Sequence, residues 1–335
     1  MNPRALEIFS TRTNAGVDPT LHVWGWEIPV YLFFGGLVAG VMILLSALEL
    51  RGHLNPKLKD EGRLRFMPWA AVALLSLGML SLFIDLSNRL NVFRFYTALR
   101  LTSPMSWGSW LLLLVYPALI GLGLGTLEHA ERRKLNRLAR HAGLRGFLIE
   151  LSRWTRAHRP LILRANLVVG IGLGVYTGVL LGTLVARPLW NSALLGPLFL
   201  VSGLSTGAAL LMLVRPSRKA SAHLLARLDL LAIAAELVLL ALYLIGGSMS
   251  LAATESATAL FLGGEWTPWF WSLVVVGGLI IPAMLELTEL RYGLSTTSWS
   301  PVLILIGGLA LRAILVAAGQ DATIHLEHSL ALLAP

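Results

Sequence analysis

Eight apolar runs, each near the roughly 20 residues that a helix needs to cross a bilayer, alternate with short polar connections along the chain. They predict transmembrane helices over residues 24–50, 68–89, 107–129, 161–186, 192–214, 224–247, 269–290 and 301–318. The even number of crossings puts both termini on one side. Basic residues cluster after the first span (Arg51, Lys57, Lys59, Arg63, Arg65), after the third (Arg132 to Arg159) and after the fifth (Arg215, Arg218, Lys219). Since basic loops stay on the cytoplasmic side, these connections face inward. The termini and the stretch from Phe83 to Trp110 face the periplasm.

Spacing within the spans adds detail. Gly170, Gly174, Gly178 and Gly182 recur every fourth residue and form a smooth strip for helix packing. Gly36 and Gly40 of the first span align with Gly203 and Gly207 of the fifth, and Trp107 and Trp110 opening the third resemble Trp266 and Trp269 opening the seventh. Four spans separate the copies, so they share an orientation and predict two parallel-related four-helix bundles. The expected organisation is an outer N-terminal segment, 1–23, a first bundle, 24–186, and a second bundle with a short outer tail, 187–335. Apolar residues at helical spacing among the arginines of 130–160 predict an amphipathic helix in the inner headgroup layer.

Composition narrows the class. Of 335 residues 56% are hydrophobic and 13% charged, with a mean hydropathy of +0.72, which predicts a polytopic, all-α integral membrane protein; the expected location is the cytoplasmic (inner) membrane. The net charge of +9 follows the loops and is no nucleic-acid footprint. The polar first twenty residues hold no apolar core of a cleaved signal peptide. With no cysteine, the protein has no thiolates for an iron–sulfur cluster. None of His22, His53, His129, His141, His158, His223, His325 and His328 lies in mid-span, which argues against a membrane haem held by paired histidines.

Two sets of polar residues carry candidate chemistry, because ionisable groups in spans are costly. At the outer face His22, Glu27, Asp85 and Tyr176 can converge on one pocket walled by aromatics such as Trp107. Apolar walls with proton-accepting and proton-donating groups suit a quinone. Asp85 and Arg89 lie one helical turn apart and can pair. Arg89, Arg94 and Arg100 are basic residues on the wrong side for the charge rule; either they close salt bridges within the loop or they meet an acidic protein surface or an anionic ligand. Farther along, Asp229, Glu236 and Tyr243 are spaced by seven on one helix face. They read as a file of proton-accepting groups or as buried pairs fixing helix register. Glu49, Glu128 and Glu286, near cytoplasmic helix ends, can form the mouth of such a path or be solvated end residues. No metal site is expected.

WGWEIPVYLFFGGLVAG in the first span, Ile84 to Leu86 (IDL), Arg94 to Tyr96 (RFY), Ser103 to Trp110 (SPMSWGSW), Tyr176 to Gly178 (YTG) and Ala318 to Gln320 (AGQ) together resemble the NrfD family, which includes the membrane subunit of polysulfide reductase. The resemblance implies a haem-free subunit of a respiratory complex that binds a quinone, menaquinone or ubiquinone, near the outer face. It also implies an iron–sulfur, ferredoxin-like partner docked there, often joined to a molybdopterin enzyme. It makes Tyr176 a quinone-pocket residue with Asp85 beside it, and His22 and Glu27 further candidates. The rival class is a proton-coupled secondary transporter working without a redox partner; a purely structural membrane anchor is a third.

Overall fold

A computed structural model of the protein describes residues 24–54, 62–86, 89–97, 100, 102–141, 145–184, 187–214, 219–292 and 299–322. His22 and the rest of the expected segment 1–23 lie outside them. Among the described residues, eight helices are long and apolar enough to cross a membrane: α1 Glu27–Leu50, α2 Met67–Asp85, α3 Pro104–Thr126, α4 Arg159–Gly182, α5 Leu195–Leu213, α6 Lys219–Ser248, α7 Thr267–Tyr292 and α8 Trp299–Asp321.

Helices α1 to α4 pack in a ring, each against the next and α4 back onto α1. A second ring is closed in the same way by α5 to α8. Helix α1 also packs on α5 and α8, which makes it the centre of the molecule: 89% of its most apolar window is buried, against 33% for α2 and for α6. A helix apolar on every side must be buried in protein or lipid, and here the two outcomes are divided between α1 and its neighbours.

The seam between the rings is made by the glycines that echo each other in the sequence. A Cβ on Gly203 would lie 2.7 Å from the Gly36 carbonyl, and one on Gly207 only 2.6 Å from the Gly40 backbone. Gly36 meets Gly203 and Gly40 meets Gly207, so α1 and α5 run parallel with their backbones in contact, as small residues four apart allow. The strip on α4 is used in pieces: Gly170 faces Met42 and Ile43 of α1, while Gly178 faces the Leu195 backbone of α5.

Helix ends differ from the sequence expectation where local chemistry intervenes. Helix α2 stops at Asp85, not Arg89, because Leu86 turns extended (φ −65°, ψ 122°). Arg89 lies in a separate 3-10 turn and donates to the Ile84 carbonyl at 2.7 Å, so it is not paired with Asp85. Helix α3 starts at Pro104, ahead of Trp107, since proline is tolerated in a first turn where its N–H is not needed. The connection 130–160 forms two amphipathic helices, His129–His141 and Arg145–Ala157. Within α7, Phe270–Ile280 is π-helical and ends two residues before Pro282, which has no N–H to donate.

At the face bearing the basic connections, Arg159 makes a bidentate pair with Glu49 at 2.8 and 2.6 Å and also reaches the Leu122 carbonyl. Arg65 pairs with Glu128 and Glu131. At the opposite face Gln320 clamps the Trp24 backbone with its amide oxygen at 2.9 Å and its amide nitrogen at 3.0 Å. Gly319 leaves room for the Trp190 ring, which stacks on Trp24 at 4.9 Å between centroids. The Ala318 to Gln320 motif therefore ties the end of α8 to the start of α1.

Candidate functional site

The face with the start of α1 and the end of α2 holds the first polar site, in the ring of α1 to α4. Gly78, Ser81 and Asp85 follow one another along α2 beside α1. Gly78 lies against the Phe34 side chain and the Tyr31 backbone, and the Ser81 hydroxyl donates to the Glu27 carbonyl at 3.2 Å. The carboxylates of Asp85 and Glu27 are electrostatic neighbours. One turn into α1 from Glu27, Tyr31 is buried and neighbours both Tyr176 of α4 and Tyr96 of the short helix Arg94–Thr97.

That short helix is fastened onto the start of α3. The Ser109 hydroxyl donates to the Phe95 carbonyl at 2.7 Å, and the Arg100 amide donates to Ser106 Oγ at 3.0 Å. Burial, and after it the neighbouring Tyr116, push the Tyr96 phenol above its ordinary pKa, so it stays a hydroxyl donor. Gly108 of α3 is where Tyr176 fits: any Cβ there would fall within the tyrosine ring. Three phenols and two carboxylates thus share one end of the ring. Trp107 and Arg94 stand at its rim with exposed side chains. Thr177 instead faces Gly35 of α1 and donates to the Gly174 carbonyl at 2.8 Å.

The second site lies inside the ring of α5 to α8. Asp229, Glu236 and Tyr243 all point inward from α6, 0%, 2% and 6% exposed. Tyr243 donates to the Leu189 carbonyl. Asp229 has Ser205 of α5 and Glu286 of α7 beside it, and Ser300 of α8 donates to Glu286 Oε1 at 3.0 Å. A small cavity with space for a water-sized molecule is lined by Glu236, Ser202, Thr206 and the glycines Gly278 and Gly307. The structure thus brings Glu286 to the Asp229 file, whereas Glu49 and Glu128 are engaged by arginines in the other ring.

Arg312 is the residue that sequence reasoning passed over. It is fully buried near the seam, where Nε donates to the Leu32 carbonyl at 3.2 Å and Nη1 to Ser202 Oγ at 3.1 Å and the Gly308 carbonyl at 2.7 Å. Nη2 reaches the Phe199 carbonyl at 3.4 Å, and the guanidinium lies 5.1 Å from the centroid of the Phe199 ring. Its charge acts on Glu236. An arginine 13 residues into an apolar helix is by itself a signal of function or of a buried partner.

Fold and sites define the class: a multi-pass membrane protein with tyrosines and carboxylates gathered at one end of one four-helix ring and buried ionisable groups inside the other. The family described as "Polysulphide reductase, NrfD" matches residues 14–324. The protein is 31% identical to the protein NrfD of Escherichia coli over 271 residues, covering 79% of its own length and 84% of that relative. It is 30% identical to the C subunit of polysulfide reductase from Wolinella succinogenes over 278 residues, covering 79% and 83%. A third relative, the NrfD homolog of Haemophilus influenzae, is 25% identical over 275 residues. The protein belongs to the NrfD family.

Proposed function

We propose that this protein is the quinone-reactive, haem-free membrane subunit of a respiratory oxidoreductase in the cell inner membrane. The observation that carries the reading is the convergence of Tyr31, Tyr96 and Tyr176 with Asp85 and Glu27 at one end of the α1 to α4 ring, in a family that includes a polysulfide reductase subunit. These residues fit a quinone: buried rings provide apolar walls, and phenols and carboxylates provide donors and acceptors for its two oxygens.

A bound menaquinone or ubiquinone supplies two-electron, two-proton chemistry. The protein's own residues bind and orient it and handle the protons. The phenol hydroxyls would hydrogen-bond the ring oxygens of such a quinone, and Asp85 and Glu27, at the helix ends, would take up or return the protons. The sequence has no cysteine, so electrons pass to an iron–sulfur, ferredoxin-like partner at the pocket face, with a molybdopterin or other catalytic subunit beyond. Exposed Leu90, Phe93 and Met105 beside the exposed Arg89 and Arg94 offer a docking rim for such a partner. The basic connections on the opposite side support a periplasmic position for this face.

The test is purification from native membranes in mild detergent with assay of iron and acid-labile sulfide. A stoichiometric iron–sulfur subunit is the expected outcome, whereas a metal-free, partnerless protein from intact preparations rejects the reading. A proton-coupled transporter is the second reading, favoured by the buried carboxylates of the second ring; it would work alone in proteoliposomes.

Within the complex, Asp229, Glu236 and Tyr243, joined by Glu286, form a proton path through the second ring. Glu236→Gln keeps the shape of the side chain and removes its titration. The variant complex is expected to move fewer protons per electron in sealed vesicles while still oxidising quinol; an unchanged ratio removes Glu236 from the path.

A further inference from the structure

Arg164 and Arg227 are exposed charges inside membrane-spanning helices. Arg164 lies five residues into α4 and Arg227 eight residues into α6, both near the face that bears the basic connections. Neither has an ion-pair or hydrogen-bond partner among the described residues. A guanidinium on the outside of a span turns back along its helix to the headgroups, where phosphates receive it. Trp154 and His158, both exposed and stacked at 4.8 Å between ring centroids, mark that level just before α4 begins.

The two arginines share a depth. Gly178 packs on Leu195 and Gly174 on Leu200, so α4 and α5 are antiparallel and Arg164 comes level with Ala209 of α5. Asp229 has Ser205 beside it, so Arg227, two residues nearer the start of α6, comes level with Gly207 of α5. Both side chains therefore leave the backbone within one turn of the same depth, on the two helices that flank α5. Each also begins an apolar stripe. Leu161 and Val168 are exposed on the same face of α4 as Arg164, and Leu231 and Val238 on the same face of α6 as Arg227. Between the stripes Val201 and Leu204 of α5 are half-buried.

A guanidinium fork binds phosphate oxygens in pairs, and a lipid with a single phosphate satisfies one such fork. Two cations at one depth, each over an apolar stripe, match a headgroup that joins two phosphates and carries chains on both sides. Basic clefts between spans on the cytoplasmic side suit this kind of lipid. We propose that Arg164 and Arg227 hold one cardiolipin molecule, whose phosphates meet the two guanidiniums and whose chains lie along the stripes on either side of α5. The lipid straps α4 of the first ring to α6 of the second across the outside of α5. The proposal rests on the membrane-spanning fold alone and stands apart from the quinone reading.

The test uses the complex purified in mild detergent, stripped of lipid and titrated with cardiolipin. Native mass spectrometry counts the bound lipid, and the thermal unfolding midpoint reads its effect; neither readout involves quinone. The wild type should retain one cardiolipin and unfold at a higher temperature with it, as mass action requires. Phosphatidylglycerol at equal phosphate should raise the midpoint less. Arg164→Gln and Arg227→Gln should each weaken cardiolipin binding about fivefold or more, as expected for one cation facing an anionic headgroup. The double variant should unfold like the wild type without lipid and lose the rise that cardiolipin causes. Arg133→Gln removes the same charge from an exposed position on the helix His129–His141 and should leave binding unchanged. Cardiolipin binding that survives either single change overturns the site. So does an equal loss in Arg133→Gln, or phosphatidylglycerol acting as well as cardiolipin, since either reduces it to general attraction for anionic lipid. Two lipids, each lost with one arginine, overturn the strap.

Discussion

Asp85→Asn lowers quinol-linked turnover by about two orders of magnitude, the lower range for loss of a positioned acid or base, in a complex that still assembles. The side chain ends α2 and is part-exposed beside Glu27, so amide for carboxylate costs the fold little. What is lost is a proton acceptor at the pocket mouth. Steady-state oxidation of a short-chain quinol analogue, with the iron–sulfur content of the same preparation as a control for assembly, measures it. Normal turnover in a fully loaded complex would remove Asp85 from the chemistry. A parallel fall in turnover and in iron content would mean that the residue holds the partner, not the proton.

Arg312→Met produces the largest loss of stability, on the order of 3–5 kcal/mol, as expected when one member of a buried charge pair is removed. Four groups lose a donor at once, the carbonyls of Leu32, Gly308 and Phe199, beyond their helical N–H, and the Ser202 hydroxyl. Glu236 loses its balancing charge. Arg312→Lys is a poor rescue, because an ammonium has three donors and no planar fork to reach acceptors on α1, α5 and α8 together. Adding Glu236→Gln to Arg312→Met should return part of the stability, which a double-mutant cycle on thermal unfolding in detergent reads directly. A destabilisation identical with and without the second change would show that the two charges are uncoupled.

The eight spans were legible because length and apolarity alone decide them in lipid. The rings were legible in part, through the echo of Gly36 and Gly40 in Gly203 and Gly207, which turn out to touch. Boundaries failed where a single backbone torsion decides, as at Leu86, which cuts the turn that would have paired Asp85 with Arg89. Among the candidate residues, the sequence assembled those on one helix, such as Asp229, Glu236 and Tyr243, because a period of seven is visible without tertiary knowledge. It could not show that Glu286 belongs beside Asp229, since that depends on α7 lying next to α6. Tyr31 was within reach, one turn from Glu27 on the same face of α1. Arg312 stood in plain view as a charge in an apolar run, and only its partners, drawn from three helices, were hidden.

The glycine seam has a mechanical corollary. Backbones that touch without side chains between them cannot slide or roll without collision, so α1 and α5 move as one piece and the two rings cannot rock against each other there. A signal passing between the tyrosine pocket and the buried carboxylates is then expected to travel as a shift of charge, with little displacement of helices. Arg312 is placed for that traffic: it holds the carbonyl of Leu32, the residue after Tyr31, with one nitrogen, and Ser202 in the wall beside Glu236 with another.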